Sequence, residues 1–233
     1  MLTSKEIKEF VLNNGAEKCG IANIERFSEA PEGFRPTDIC KDCRSVIVFL
    51  KQMPTDIIMI SNPVPYTHAA NLLYENLNRI GLELCYYLQK NGRQGIPIPS
   101  SAPYLYWDEK NKRGQGILSL RHAAYFAGLG FLGKNTLLIN EDLGNMAYIG
   151  AILSNAKFEP DPLVKDFNCP PECYICIDVC PKKALNEINV NQKLCREISI
   201  YQNERGHEIY DCNKCRSSCV LRLGKRKAKK PKS

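Results

Sequence analysis

The 233-residue chain has only three histidines, a single tryptophan and no long apolar run. His68, His122 and His207 do not make a metal triad, and no nucleophile with a base partner is legible. The first residues, MLTSKEIKEFVLNNG, are charged and amphipathic, so no secretion signal is expected. The most apolar stretch, Val46 to Leu50, suits a buried strand and is far too short to cross a bilayer. With 44% hydrophobic and 24% charged residues, 15 glycines and 14 prolines, the chain is neither disordered nor collagenous. The expected location is the cytoplasm, where dense cysteines read as metal ligands before disulfides.

No acidic residue follows Asp211. The net charge of +7 is therefore local, because Arg222, Lys225, Arg226, Lys227, Lys229, Lys230 and Lys232 account for it and leave a neutral body. Residues 222–233 read as a basic tail, either an RNA-contacting or membrane-surface segment or a solubilising end. No aromatic residue is interleaved with its charges.

Patterning predicts a mixed fold. A capping box from Thr3 to Glu6 opens a helix with Ile7, Phe10 and Val11 on one face and a stop at Gly15. Strands are expected at Gly20 to Ile24 and Ser45 to Leu50. A long helix is expected from Thr67 to Asn91, with Leu73, Leu77, Ile80, Leu84 and Leu88 at helical spacing. After an extended segment from Gly95 to Pro103, a helix is expected from Ser119 to Ala127. Two strands, Asn135 to Ile139 and Met146 to Leu153, are joined by the turn Glu141 to Asn145. The fold class is α/β or α+β, with a main domain over 1–157, a Pro-rich linker at 158–165 and a module over 158–221.

That module carries eight of the 12 cysteines. Cys169, Cys173, Cys176 and Cys180 form a run closed by Pro181, one residue longer in its first gap than the bacterial ferredoxin run. In such a run three thiolates bind one cubane and the fourth serves another cluster, so a second set is expected downstream. Cys195, Cys212, Cys215 and Cys219 supply it. Two 4Fe-4S clusters are expected, with zinc sites or disulfides as the alternatives. By analogy with ferredoxins the ligation crosses: Cys169, Cys173, Cys176 and Cys219 on one cluster, Cys180, Cys195, Cys212 and Cys215 on the other. Cys40 and Cys43 read as a loop pair, or else as a redox or third metal site; Cys19 and Cys85 read as small core residues.

Gly128, Gly130 and Gly133 spell a G-x-G-x-x-G sequence, but a helix precedes it and strand residues follow, which is the wrong context for a dinucleotide fingerprint. The glycines read as a helix stop and a loop of close backbone approach, either to a ligand or within a turn. Tyr104, Tyr106 and Trp107 read as one face of a packed strand, or as a stacking surface for a flat ligand.

The stretch from Leu118 to Ile139, LSLRHAAYFAGLGFLGKNTLLI, followed by Gly144 and the eight cysteines, resembles the epoxyqueuosine reductase family and its relatives the reductive dehalogenases. The resemblance implies a nitroreductase-like main domain that holds a cobalamin, with a ferredoxin-like module whose two clusters feed it electrons. It implies a corrinoid-contacting loop of Gly128, Gly130, Gly133 and Asn135, with Arg121 and His122 nearby. It also implies an electron donor such as ferredoxin or flavodoxin and a small-molecule or RNA-borne substrate. The family's proton-donating Asp falls on Gly114 here, and Asp108 and Glu109 are the nearest carboxylates. Two functions follow: a corrinoid-dependent iron-sulfur reductase, or a non-catalytic ferredoxin-like electron carrier or partner subunit without corrinoid.

Overall fold

A computed structural model describes residues 2–225. Its helices are α1 (Ser4–Asn13), α2 (Pro36–Ile39), α3 (Pro63–Lys90), α4 (Leu120–Phe126), α5 (Ile175–Asp178), α6 (Gln192–Ser199) and α7 (Lys214–Ser217). Its strands are β1 (Lys18–Asn23), β2 (Ser45–Gln52), β3 (Gly95–Ile98), β4 (Tyr106–Asp108), β5 (Arg113–Gln115), β6 (Phe131–Leu132), β7 (Leu138–Ile139), β8 (Ala147–Ser154), β9 (Ile200–Gln202) and β10 (Glu208–Tyr210).

One antiparallel sheet in the order β1-β2-β8-β3 organises the first 157 residues. Successive side chains of a strand point to opposite faces, and here both faces are covered. Ile47 and Phe49 of β2 pack with Ile7 and Val11 of α1 and with Leu77, Ile80, Leu84 and Leu88 of α3. Val46, Val48 and Leu50 face the other way, onto Ala123, Ala124 and Ala127 of α4. Double coverage explains why the run from Ser45 to Leu50 is buried without alternation. Gly150 lets β8 lie against Phe49: a Cβ there would stand 2.3 Å from the Phe49 ring.

The long helix begins at Pro63, four residues before its expected start. Proline fits a first helical turn, and the Asn62 side chain accepts the Val64 N–H. The capping box of α1 is present, with the Glu6 N–H donating to Thr3 Oγ1 at 3.2 Å and the Thr3 N–H to Glu6 Oε2 at 2.8 Å. One pairing differs from expectation. The strands flanking the turn at 141–145 do not pair with each other: β7 pairs with β6, whereas β8 enters the sheet between β2 and β3.

The Pro-rich segment after β8 packs on the sheet. Phe158 is buried, and the Asp161 carboxylate accepts Lys8 Nζ at 2.5 Å and the Ile21 N–H at 2.9 Å. Beyond it, a small cluster of Phe131, Ile139, Phe167, Cys219 and Leu221 joins the β6–β7 hairpin to the cysteine-bearing residues. The β9–β10 hairpin docks on α3 through the Tyr210 N–H, which donates to Thr67 Oγ1 at 2.9 Å. Of the basic end, residues 222–225 fold back onto the turn at 141–144. The Lys225 N–H donates to the Glu141 carbonyl at 2.7 Å, and Gly144 (φ +61°) makes room for the Arg222 carbonyl. Residues 226–233 of the expected tail lie outside the described residues. Among the described residues no helix is long and apolar enough to cross a membrane.

Candidate metal centre

Short helices and tight turns present the eight cysteines. Cys176 lies in α5, Cys195 in the first turn of α6, whose Asn191 cap accepts the Leu194 N–H, and Cys215 in α7. Cys169, Cys173, Cys176 and Cys219 line one small cavity, partly open to solvent, with Asn135, Ile139 and Leu221. Burial pushes the Cys219 thiol up to about 11, and the Cys169, Cys176 and Cys173 thiols beside it push the same way.

The remaining four gather beside it. Cys195 is raised by burial, then by Cys212 and Cys180; Cys215 is raised by burial to about 11, against the pull of the Arg216 charge, with Cys195 and Cys212 adjacent. The Ala184 N–H donates to Cys180 Sγ at 3.2 Å, and Cys195 Sγ meets Ser199 Oγ at 3.7 Å. Cys176 also acts on Cys215, so the two foursomes are neighbours. Among the described residues none of the twelve cysteines is in a disulfide, and no three of His, Cys, Asp and Glu are set for a single ion. The donor set suits thiophilic metal: eight thiols in two groups, several held protonated by burial, so that binding must release protons.

The glycine segment meets this region, and its small residues serve the chain itself. A Cβ on Gly128 would stand 2.2 Å from the Pro162 carbonyl oxygen, and one on Gly130 2.2 Å from that of Ile139. At Gly133 it would meet the Ile139 side chain at 2.5 Å. Arg121 donates to the Thr136 carbonyl and, at 2.8 Å, to Thr136 Oγ1, holding a residue at φ +60°. His122 Nδ1 lies 2.7 Å from Ser119 Oγ; desolvation and the Arg121 charge hold its pKa below the ordinary value. Asn135 is buried, donates to the Cys215 carbonyl at 3.3 Å and accepts the Leu137 N–H. Gly133 and Asn135 lie side by side, with Asn135 Oδ1 2.9 Å from where a Cβ on Gly133 would stand. They shape a turn that carries Lys134 and Asn135 to the cysteines.

The position of the missing acid is also filled. Gly114 pairs with Trp107 across the β4–β5 hairpin, and a Cβ there would touch the Tyr104 ring at 3.2 Å and Trp107 at 3.3 Å. Asp108 accepts from the Asn111 backbone and side chain, which hold its carboxyl below the usual range, and Glu109 accepts the Trp107 indole N–H at 2.6 Å. Both acids are occupied within an exposed turn. The lowered Asp108 carboxyl does not resemble a proton donor, which needs a raised pKa. Tyr104, Tyr106 and Trp107 are exposed rather than one face of a packed strand, and Arg196 of α6 lies over the Trp107 ring at 5.2 Å.

Sequence reasoning missed Lys134, Asn145 and Arg216. The Lys134 backbone N–H reaches Cys169; its ammonium donates to the Pro171 carbonyl at 2.8 Å, pairs with Glu187 at 3.4 Å and sits 3.7 Å over the Tyr174 ring. Asn145 and Arg216 exchange hydrogen bonds, Nδ2 to the Arg216 carbonyl at 3.2 Å and Nη1 to the Asn145 carbonyl at 2.5 Å, while the guanidinium lies 5.2 Å from the Tyr148 ring. Each adjoins a motif residue in sequence. That adjacency is the only signal they leave. Cys40 and Cys43 are buried in the sheet's second core, donating to Gln94 Oε1 at 3.4 Å and to the Ser45 carbonyl at 3.5 Å.

No family model matches the chain. It is 36% identical over 119 residues to the epoxyqueuosine reductase of Staphylococcus aureus, a match covering 47% of this chain and 31% of that enzyme. The matched stretch thus spans about a third of the relative's length. An epoxyqueuosine reductase solved with an epoxyqueuosine-modified tRNA-Tyr stem loop superposes with a TM-score of 0.65 at 19% identity, covering 95% of this chain and 65% of that one. A reductive dehalogenase whose structure is described as suggesting a mechanism for B12-dependent dehalogenation superposes with a TM-score of 0.59 at 16% identity, covering 94% and 32%. In its matched part the chain is similar in sequence to the epoxyqueuosine reductases, and over nearly its whole length its mixed α/β fold matches the solved structures of epoxyqueuosine reductases and of a reductive dehalogenase.

Proposed function

We propose that the chain is an iron-sulfur redox protein of the cytoplasm, in which a ferredoxin-like module with two 4Fe-4S clusters passes electrons to a reductase site on a nitroreductase-like domain. The carrying observation is that Cys219, more than forty residues on in sequence, lines one cavity with Cys169, Cys173 and Cys176. Cys180, Cys195, Cys212 and Cys215 would hold the second cluster. When bound, the clusters supply one-electron transfer at low potential. The chain's own part is to fix eight sulfurs, exclude water through Ile139, Val220 and Leu221, and tie the module to the sheet through Asn135 and Arg216.

The homology supports a corrinoid at the reductase site and a small-molecule or RNA-borne substrate, with ferredoxin or flavodoxin as donor. A specific observation favours the second reading, an electron carrier or partner subunit without corrinoid. The candidate loop glycines are occupied by the chain's own atoms, and the family's acid position holds Gly114 under two aromatic rings. Anaerobic reconstitution with iron and sulfide, followed by cobalamin, separates these readings. A brown protein that shifts the corrinoid spectrum supports the reductase, and a brown protein that leaves it unchanged supports the carrier. A colourless zinc protein defeats both.

A further inference from the structure

The two thiol sets differ in the charges that stand beside them. A cluster gains negative charge on reduction, so a nearby cation raises its potential and burial in apolar surroundings lowers it. Around Cys169, Cys173, Cys176 and Cys219 the neighbouring cation is Lys134, and its charge is offset by Glu187 at 3.4 Å. Cys176 and Cys219 are buried, and Ile139, Ile175, Val220 and Leu221 line their cavity. In the other set Cys180, Cys195, Cys212 and Cys215 are all half-buried, and burial raises Cys215 as far as it raises Cys219.

Two arginines stand at that second set. Arg196 follows Cys195 on α6 and acts on its thiol; Arg216 follows Cys215 on α7 and acts on that one. Neither pairs with a carboxylate among the described residues: Arg196 faces the Tyr104 and Trp107 rings and Arg216 the Tyr148 ring. The nearby Lys182 is offset by Glu197 at 2.9 Å. Backbone N–H groups reach sulfurs of both sets, as from Lys134 to Cys169 and from Ala184 to Cys180, and these dipoles are weaker than a full charge.

Resting on the two-cluster reading, we infer that the clusters are of unequal potential, the one on Cys180, Cys195, Cys212 and Cys215 being the higher, because Arg196 and Arg216 are uncompensated beside it. An external low-potential electron donor then reduces the Cys169 set, which loses one electron as the Cys180 set gains it. Electrons leave on the aromatic side, where Tyr104, Trp107 and Tyr148 adjoin the two arginines.

The test is a potentiometric titration of the reconstituted full chain followed by electron paramagnetic resonance, with signals assigned through Cys176→Ser and Cys195→Ser. The Cys180-set signal is expected first. Arg196→Gln, which spares the Asn145–Arg216 latch, is expected to lower the reduced-to-oxidised ratio of that cluster about three- to tenfold at fixed poise and to leave the other unchanged. Glu187→Gln is expected to raise the ratio of the Cys169 set alone. Reversed order, or an Arg196→Gln protein with both potentials unchanged, overturns the inference while leaving the clusters intact. A wild-type protein that binds no iron defeats the cluster reading itself.

Discussion

The sheet domain and the cysteine module are stabilised by different means. In the first, Phe49, Leu77, Ile80 and Leu84 are fully buried, and the sheet is covered on both faces. In the second, α6 and α7 bury no side chain, and besides single buried residues such as Ala184, Leu185 and Ile209 the apolar contact is a cluster of five residues shared with the β6–β7 hairpin and Phe167. A region that buries so little apolar surface cannot offset the entropy of ordering its loops, and in small modules metal binding supplies the difference. The contrast teaches where the proposed cofactor acts on folding as well as on electron transfer.

The largest expected effect breaks the module alone. Removing iron with a chelator under reducing conditions should leave amides of β2, β8 and α3 protected from hydrogen exchange while residues 169–219 lose protection. Equal loss in both regions would show that the sheet domain also depends on the metal. Next, Leu77→Ala should cost the sheet domain about 2–5 kcal/mol by cavity formation, read as a lowered denaturant midpoint with the module's visible spectrum retained below the transition. Asn135→Ala, which strips partners from the Cys215 carbonyl and the Leu137 N–H, should cost about 1–3 kcal/mol. Its signature is faster cluster loss with the sheet's midpoint little changed.

The smallest effect at neutral pH is expected for Cys19→Ala, and it grows in alkali. Burial raises the Cys19 thiol from 9.0 to about 12. Its contribution is therefore complete below about pH 9 and lost as pH climbs towards about 12, because the unfolded chain ionises first. The variant should show a flatter decline of stability across that window. An unchanged slope would assign the decline to other groups, such as Cys85, raised by burial to about 11.

Much of the sheet domain was legible because its signals are local. Thr3 and Glu6 specify a helix start, and the spacing of Leu73, Leu77, Ile80, Leu84 and Leu88 specifies the buried face of α3. The place of β8 was not legible, because its partners lie about a hundred residues upstream on β2 and about fifty upstream on β3, and the turn at 141–145 suggests a nearer mate. That Cys169, Cys173 and Cys176 come together was legible from their spacing, and that Cys219 joins them at one cavity was suggested by the ferredoxin analogy. The glycines announced close approach without saying to what, and the answer is the carbonyls of Pro162 and Ile139. Lys134, Asn145 and Arg216 carry no pattern in sequence. Their roles arise only when the turn at 133–137 and α7 meet.

The crossed grouping of the cysteines is the central claim, and Cys219→Ser tests it most directly. Cys219 lies four residues from Cys215 in sequence yet lines the cavity of Cys169, Cys173 and Cys176. In the reconstituted, reduced variant, paramagnetic resonance with iron counting should show the Cys169-set cluster altered or lost and the Cys180-set signal unchanged, with iron falling from about eight towards about four per chain. Loss of the signal that Cys195→Ser also removes, with the other intact, would contradict the account.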